Sequence, residues 1–233
     1  MAVENKVVYE YIEEYIRQVQ PDLSVELEQI RLEAERDGVP IVKPEVASLI
    51  LTLLAIKRPK RILEIGTAVG FSACLMSKHL DKDGKIITIE RNNSMHQKAT
   101  ENIKRLGLED SIKLIYGDAK EEMRKLSGEF DVIFIDAAKG QYDTFYRDSL
   151  PILADGGLII ADNILYKGLV ALEKGAIDRR NRTIYKRMRE FIKMVMNNLE
   201  FESTLIPVGD GIIISKKLEY TERNDKLYEQ DKS

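Results

Sequence analysis

The stretch Leu63-Glu64-Ile65-Gly66-Thr67-Ala68-Val69-Gly70 decides the fold. An apolar run over residues 61–65 reads as a short buried strand, and residues 71–80 read as a helix. Between them Gly66 and Gly70 allow a sharp turn and the close approach of a ligand to the backbone. Ala68 stands where a dinucleotide-binding fingerprint requires its middle glycine, which argues against a pyrophosphate-bearing cofactor such as NAD.

Outward from this turn the same alternation repeats. Further β-rich runs fall at 85–89, 112–116, 131–135 and 158–161, separated by helical stretches at 93–106, 120–126 and 142–153. That order predicts an α/β fold with a doubly wound, mostly parallel sheet of Rossmann type. Two last runs, 201–207 and 211–216, are joined through Gly209-Asp210-Gly211, a hairpin signal. They complete a seven-stranded sheet with one antiparallel hairpin strand. Ahead of the sheet, Val8, Ile12, Tyr15, Ile16 and Val19 fall at helical spacing until Pro21, and Leu23, Leu27, Ile30 and Ala34 repeat the pattern until Gly38 and Pro40. Pro44 then opens a third helical run. The expected organisation is one domain over 1–216, with N-terminal helices in 1–56 and the core in 61–216, followed by a charged, flexible tail, 217–233.

Composition narrows the class. The chain has 233 residues, 44% hydrophobic and 32% charged, which suits one soluble domain. Its longest apolar stretch, 46–56, carries Ser48 and Thr52 and is too short to span a bilayer. The start, Met1-Ala2-Val3-Glu4-Asn5-Lys6, lacks the pattern of a secretory leader, and the single Cys74 excludes an intramolecular disulfide. A cytoplasmic location without membrane attachment is expected. Two histidines and one cysteine do not suggest zinc. A net charge of −3 gives no global attraction to nucleic acid, so any such binding needs a local patch.

An ordered series of acids follows the predicted strands: Glu64, Glu90, Asp118, Asp136 and the pair Asp162-Asn163. Ligands of open α/β sheets bind at the carboxyl ends of the strands, so these oxygens converge. Glu90 is placed to accept both hydroxyls of a ribose, and Asp118 to accept from an adenine amino group while the Ala119 amide meets the ring. Each acid taken alone could equally be a loop carboxylate or a helix cap. Asp136, Asp162 and Asn163 supply two carboxylates and a carboxamide oxygen from neighbouring strands, a set that suits Mg²⁺. Asp162-Asn163 could otherwise cap a turn.

These motifs resemble the class I S-adenosylmethionine-dependent methyltransferases, and more closely the catechol and caffeoyl-CoA O-methyltransferase-like family, over about residues 42–216. The resemblance implies that Val42, Glu64, Gly66, Ser72, Glu90, Asp118, Ala119 and Asp136 contact S-adenosyl-L-methionine or lie beside it. It also implies that Asp136, Asp162 and Asn163 bind Mg²⁺. Lys139 matches the family's candidate general base, acting with Asp136, provided that burial or the cation lowers its pKa. Tyr142 is expected to pack at the cofactor mouth without a catalytic role. Cys74 and His96 are expected in the core and on a helix surface. The family's frequent homodimers imply a homodimer here, with the N-terminal helices as interface or lid.

The metal site implies an acceptor with two neighbouring oxygens, which a catechol and 5-hydroxyuridine both offer. Residues 178–193 carry Arg179, Arg180, Arg182, Lys186, Arg187, Arg189 and Lys193 against Asp178 and Glu190, so seven basic minus two acidic gives +5. Their spacing makes a basic helix face opposite Ile184, Met188, Phe191, Ile192 and Val195. That face is either solvated covering for the sheet or a phosphate-binding surface in which Arg179, Arg180, Arg182, Lys186 and Arg189 meet RNA. Together with Asp-Ala-Ala-Lys-Gly-Gln-Tyr (136–142) and Ala-Asp-Asn-Ile-Leu (161–165), it resembles the bacterial tRNA 5-hydroxyuridine methyltransferase branch. The branch implies a tRNA anticodon stem-loop as partner and 5-methoxyuridine at the wobble position as product. The alternative is a small-molecule catechol or caffeoyl-CoA-type enzyme. A noncatalytic RNA-binding protein on this fold is disfavoured by the retained acids.

Overall fold

The computed structural model describes residues 8–137 and 140–219. Three helices come first: α1 (Glu10–Val19), α2 (Val25–Arg36) and α3 (Pro44–Lys57). Ser24 caps α2 by accepting the Leu27 amide, and Pro44 starts α3 where its missing N–H costs nothing. Helix α1 buries no residue, and side-chain charges hold it against the start of α3. Lys43 Nζ donates to Glu13 at 2.9 Å, and Arg17 lies 3.5 Å from the buried Glu45.

The core then alternates β1 (Arg61–Ile65), α4 (Phe71–Met76), β2 (Lys85–Glu90), α5 (Asn93–Arg105), β3 (Ile112–Tyr116), α6 (Ala119–Glu122), β4 (Phe130–Ile135), α7 (Tyr142–Ser149), β5 (Leu153–Ala161) and α8 (Arg182–Met196). The hairpin β6 (Phe201–Ile206) and β7 (Ile212–Lys217) closes it. The seven strands lie in the order β3-β2-β1-β4-β5-β7-β6. Only β7 runs against the others, since it is antiparallel to both β5 and β6. The expected fold class is therefore the observed one.

Three expected helices are shorter than their sequence pattern, because each tightens into a 3₁₀ turn: Ser77–His79, Met123–Lys125 and Leu150–Ile152. Strand β5 starts earlier than expected, at Leu153. The glycine pair Gly156-Gly157 is carried inside β5, within the extra residues between Leu153 and Leu158 that face residues 130–132 of β4. The presumed tail also begins too soon in the sequence reading. Lys217 ends β7 and donates to the Leu153 carbonyl, and Leu218 donates to Glu200. The rest of that segment from 220 on lies outside the described residues.

Strand residues alternate between two apolar layers. Ile62, Ile86, Val132 and Phe134 pack under α2, α3, α4 and α5, whereas Leu63, Ile133 and Ile135 pack under α6, α7 and α8. Glu64 and Thr88 fall on the first face, where alternation calls for apolar side chains, and both are fully buried. Among the described residues no helix is long and apolar enough to cross a membrane.

Candidate active site

The chain order of the strands reverses between β1 and β4, which opens a crevice at their carboxyl ends. Ladder hydrogen bonds continue one residue past each strand there. The amides of Gly66, Gly117, Asp136 and Asp162 donate to Ile89, Glu90, Ile65 and Ile135 at 3.0–3.1 Å. The residues that follow the strands are thus fixed in a row along one edge.

A cleft of about 520 Å³ occupies this edge. Val42, Gly66, Ser72, Glu90, Asp118, Ala119, Asp136, Asp162 and Asn163 all line it, so seven stretches of sequence meet at one place as their pattern implies. Glu64 does not line it. Its side chain sits beneath the floor, accepts a hydrogen bond from the Thr88 hydroxyl, and leaves Oε1 buried with no hydrogen-bond partner. Burial pushes the Glu64 carboxyl up to about 8; the Ser72 and Thr88 hydroxyls pull the other way, and the charges of Asp136 and Glu90 add to the rise.

Glu90 also shapes the glycine turn. Its Oε2 accepts the Ala68 amide at 2.9 Å and its Oε1 the Asn92 amide at 2.7 Å. Ala68 is thereby held in a left-handed conformation, φ 47°. Asp118 caps α6 by accepting the Lys120 amide at 2.9 Å while still lining the cleft, so the capping and ligand-facing readings hold together.

Asn163 Nδ2 donates to Asp136 Oδ1 at 2.8 Å, and the Asn163 amide donates to Asp162 Oδ1 at 2.7 Å. Two carboxylates and a carboxamide are therefore linked by hydrogen bonds at one edge of the cleft, and turning the carboxamide about its bond would present oxygen in place of nitrogen to a cation. No group of three His, Cys, Asp or Glu side chains is placed to hold a metal among the described residues. The set is a mixed one, which fits a hard cation that keeps several waters. Crowding of negative charge at this point favours a dication too. The Tyr142 phenol is raised well above its ordinary pKa by burial first and by the charges of Asp136 and Asp162 next.

Tyr142 differs from expectation. It is 1% exposed, behind the cleft rather than at its mouth, and its hydroxyl donates to the Asp162 carbonyl at 2.8 Å. The α7 face that carries it packs on Phe191 of α8, which draws the ring inward. Lys139 lies outside the described residues. Cys74 is buried in α4, and burial pushes its thiol up to about 12, so it is an inert core residue. His96 packs edge-on against Tyr116 at 5.4 Å on the outer side of the sheet.

Arg179, Arg180, Arg182, Lys186 and Arg189 are all exposed, and the opposite face of α8 buries Tyr185, Met188, Phe191 and Val195. Not all the charges are free to bind a ligand. Arg189 donates to the Val170 carbonyl and the Tyr185 hydroxyl at 3.0 Å, and Arg182 to the Ile177 carbonyl at 3.2 Å. A groove of about 710 Å³ lies along this face, with Lys174, Arg182, Lys186, Arg187 and Arg189 around it. Arg187 donates to the Gly140 carbonyl at 3.3 Å, next to the cleft-lining Gln141.

Sequence reasoning missed Thr67, Lys167 and Asp210, which also line the cleft. Gly209-Asp210-Gly211 reads as a turn and nothing more, and Lys167 carries no motif. Only the packing of the hairpin against the loop after β5 brings them in.

A sequence profile of the family described as O-methyltransferase matches residues 18–218. A caffeoyl-CoA O-methyltransferase of Populus kitakamiensis is 29% identical over 187 residues, 78% of each chain. Among solved structures, a Staphylococcus aureus protein provisionally described as a caffeoyl-CoA O-methyltransferase superposes with a TM-score of 0.83 at 32% identity, over 89% of this chain and all of that one. A Podospora anserina methyltransferase with bound S-adenosylhomocysteine superposes with a TM-score of 0.79 at 26% identity, over 90% and 94% of the two chains.

Proposed function

This chain belongs to the S-adenosylmethionine-dependent O-methyltransferases of the caffeoyl-CoA and catechol type, and we propose that its acceptor is a hydroxyl with a second oxygen on the neighbouring atom, held beside a divalent cation. One observation carries this reading: Asp136, Asp162 and Asn163 meet at one end of the cleft whose other end Glu90, Asp118 and Ala119 line. Gly66, Ser72 and Glu90 line the cleft between these two ends, where a cofactor would lie along the glycine turn.

When bound, the cofactor supplies the methyl group and Mg²⁺ favours the ionised acceptor oxygen, each unit of pKa lowering being worth about 1.4 kcal/mol. The chain itself supplies position. Asp136 stands where the cofactor and metal ends meet, its amide locked to Ile65. Tyr142 fixes the Asp162 backbone from behind. Val42, Ile41 and Phe145 wall the cleft with apolar surface that excludes water. Holding the attacking atom close to the methyl is worth up to roughly 7–11 kcal/mol. We assign removal of the acceptor proton to Lys139, three residues beyond Asp136.

The names of the relatives favour a catechol-type small molecule. A second reading is 5-hydroxyuridine at the wobble position of a tRNA anticodon loop, whose hydroxyl adjoins the O4 carbonyl. The observation in its favour is the basic groove along α8, joined to the cleft rim through Arg187 and Gly140. Transfer of labelled methyl from S-adenosylmethionine tests both, with Mg²⁺ or EDTA, to a catechol and to tRNA containing 5-hydroxyuridine. Label in the catechol, lost with EDTA, is the expected result; label in tRNA alone selects the second reading, and transfer undiminished by EDTA removes the cation.

A further inference from the structure

We propose that Lys167 is an acceptor-binding residue selecting a molecule with a negatively charged group close to its reactive hydroxyl, and that Asp210 is the residue that positions it. The proposal rests on the methyl-transfer reading above and adds the charge of the acceptor.

Lys167 lies four residues beyond Asn163 and lines the same cleft as Asp136, Asp162 and Asn163. It sits in an unusual loop. Tyr166 and Lys167 are both left-handed, φ 49° and 56°, followed by Gly168 at 76°, and Asn163 before them is at 60°. Successive non-glycine residues rarely adopt this conformation, which costs about 1–2 kcal/mol each. Something must hold them. The hairpin turn does so: the Ile164 amide donates to the Gly211 carbonyl at 2.9 Å, the Leu165 amide to the Asp210 carbonyl at 2.7 Å, and the Lys167 amide to Asp210 Oδ1. Gly211 packs so tightly on Leu165 that a Cβ there would lie 2.3 Å from Leu165 Cγ. The loop carrying the metal-binding Asn163 and the loop end carrying Lys167 are thus one clamped unit.

The charge pattern says what Lys167 is for. The cleft presents Asp136, Asp162 and Asp210 on this side, an acidic lining suited to a cation. The Lys167 side chain is exposed at the rim and makes no hydrogen bond or ion pair among the described residues. An exposed ammonium at the rim of a cleft otherwise lined by carboxylates on this side is available to an incoming anion, whether a carboxylate on a small phenol or a phosphate of a nucleic acid. It gives affinity to the charged acceptor without touching the transferred methyl.

The test is calorimetric binding of 3,4-dihydroxybenzoate and of catechol to the full chain with Mg²⁺ and S-adenosylhomocysteine, which separates acceptor binding from turnover. The wild type should bind the benzoate about fivefold more tightly than catechol, the contribution of an exposed ion pair. Lys167→Met should remove that preference and leave catechol binding unchanged. Asp210→Ala should weaken it as well, and Asp210→Asn, which keeps an oxygen for the Lys167 amide, should restore it. A preference that persists in Lys167→Met, or is absent from the wild type, overturns the proposal. If neither phenol binds, the catechol reading fails by itself, and an anticodon stem-loop containing 5-hydroxyuridine replaces the phenols. There, weaker RNA binding by Lys167→Met supports the proposal and unchanged binding overturns it.

Discussion

A Cβ placed on Gly66 would lie 2.1 Å from the carbonyl oxygen of Asp136, so the glycine turn after β1 and the acid after β4 are in backbone contact. No side chain fits between them. The glycine turn and the first of the proposed cation ligands are therefore one packed unit, and Gly66 is additionally at φ 98°, where a side chain is strained.

Gly66→Ala should accordingly be among the most damaging single-methyl changes in the chain. We expect a loss of roughly 3 kcal/mol or more in stability, from the steric clash and the left-handed strain together. Chemical denaturation followed by circular dichroism measures it. A variant as stable as wild type would show that β1 and β4 can separate at this point without cost.

Asp162→Ala and Asn163→Gly should each lower metal-dependent kcat/KM by at least roughly 100-fold, because each removes one of the three proposed cation ligands. Glycine is the better replacement at 163, since φ is 60° there and alanine would add strain unrelated to metal binding. Mg²⁺ titration alongside thermal melting separates the two effects. Retained metal affinity in both variants would place the cation elsewhere.

Glu64 predicts a pH effect with a definite sign. Its carboxyl is near 4.5 when exposed and is pushed up to about 8 by burial in the folded chain. Between those values the folded state binds the extra proton. The contribution to stability is full below the lower value and is lost as pH rises through the upper one, amounting to a few kcal/mol at most. Glu64→Gln should keep the shape and flatten the decline. The informative quantity is the stability difference between the two proteins from pH 5 to 9. A difference constant across that range would mean that Glu64 is ionised in the fold.

The basic face makes a separable prediction. Arg182 and Arg189 hold backbone carbonyls, so their removal would mix structure with charge. Arg179→Gln, Arg180→Gln and Lys186→Gln together should weaken tRNA binding and reduce its salt slope by about one unit per lost phosphate contact. An unchanged slope would leave the face as solvated covering.

Most of this architecture was legible in the chain because each strand–helix unit follows local rules. Alternating β-rich and 3.6-periodic runs, with glycines at the turns, specify a doubly wound sheet, and open sheets of that kind place their ligand residues at strand ends. Gly66, Glu90, Asp118, Asp136, Asp162 and Asn163 could be named for that reason before any fold was known. The 3₁₀ endings of three helices and the early start of β5 were not legible, since they depend on how each segment meets its neighbours.

What the sequence alone determined is the class of fold, the row of acids at its edge and the glycine turn among them. What only tertiary structure decided is where those acids point and what joins them. Glu64 lies beneath the cleft because its strand position faces the α2–α5 layer, and Tyr142 lies behind it because α7 packs on α8. Lys167 and Asp210 are 43 residues apart and meet only because the hairpin turn accepts hydrogen bonds from the amides of the loop after β5. Local periodicity carries no information about such a contact, because its partners share no element and an Asp in a turn signals only the turn itself.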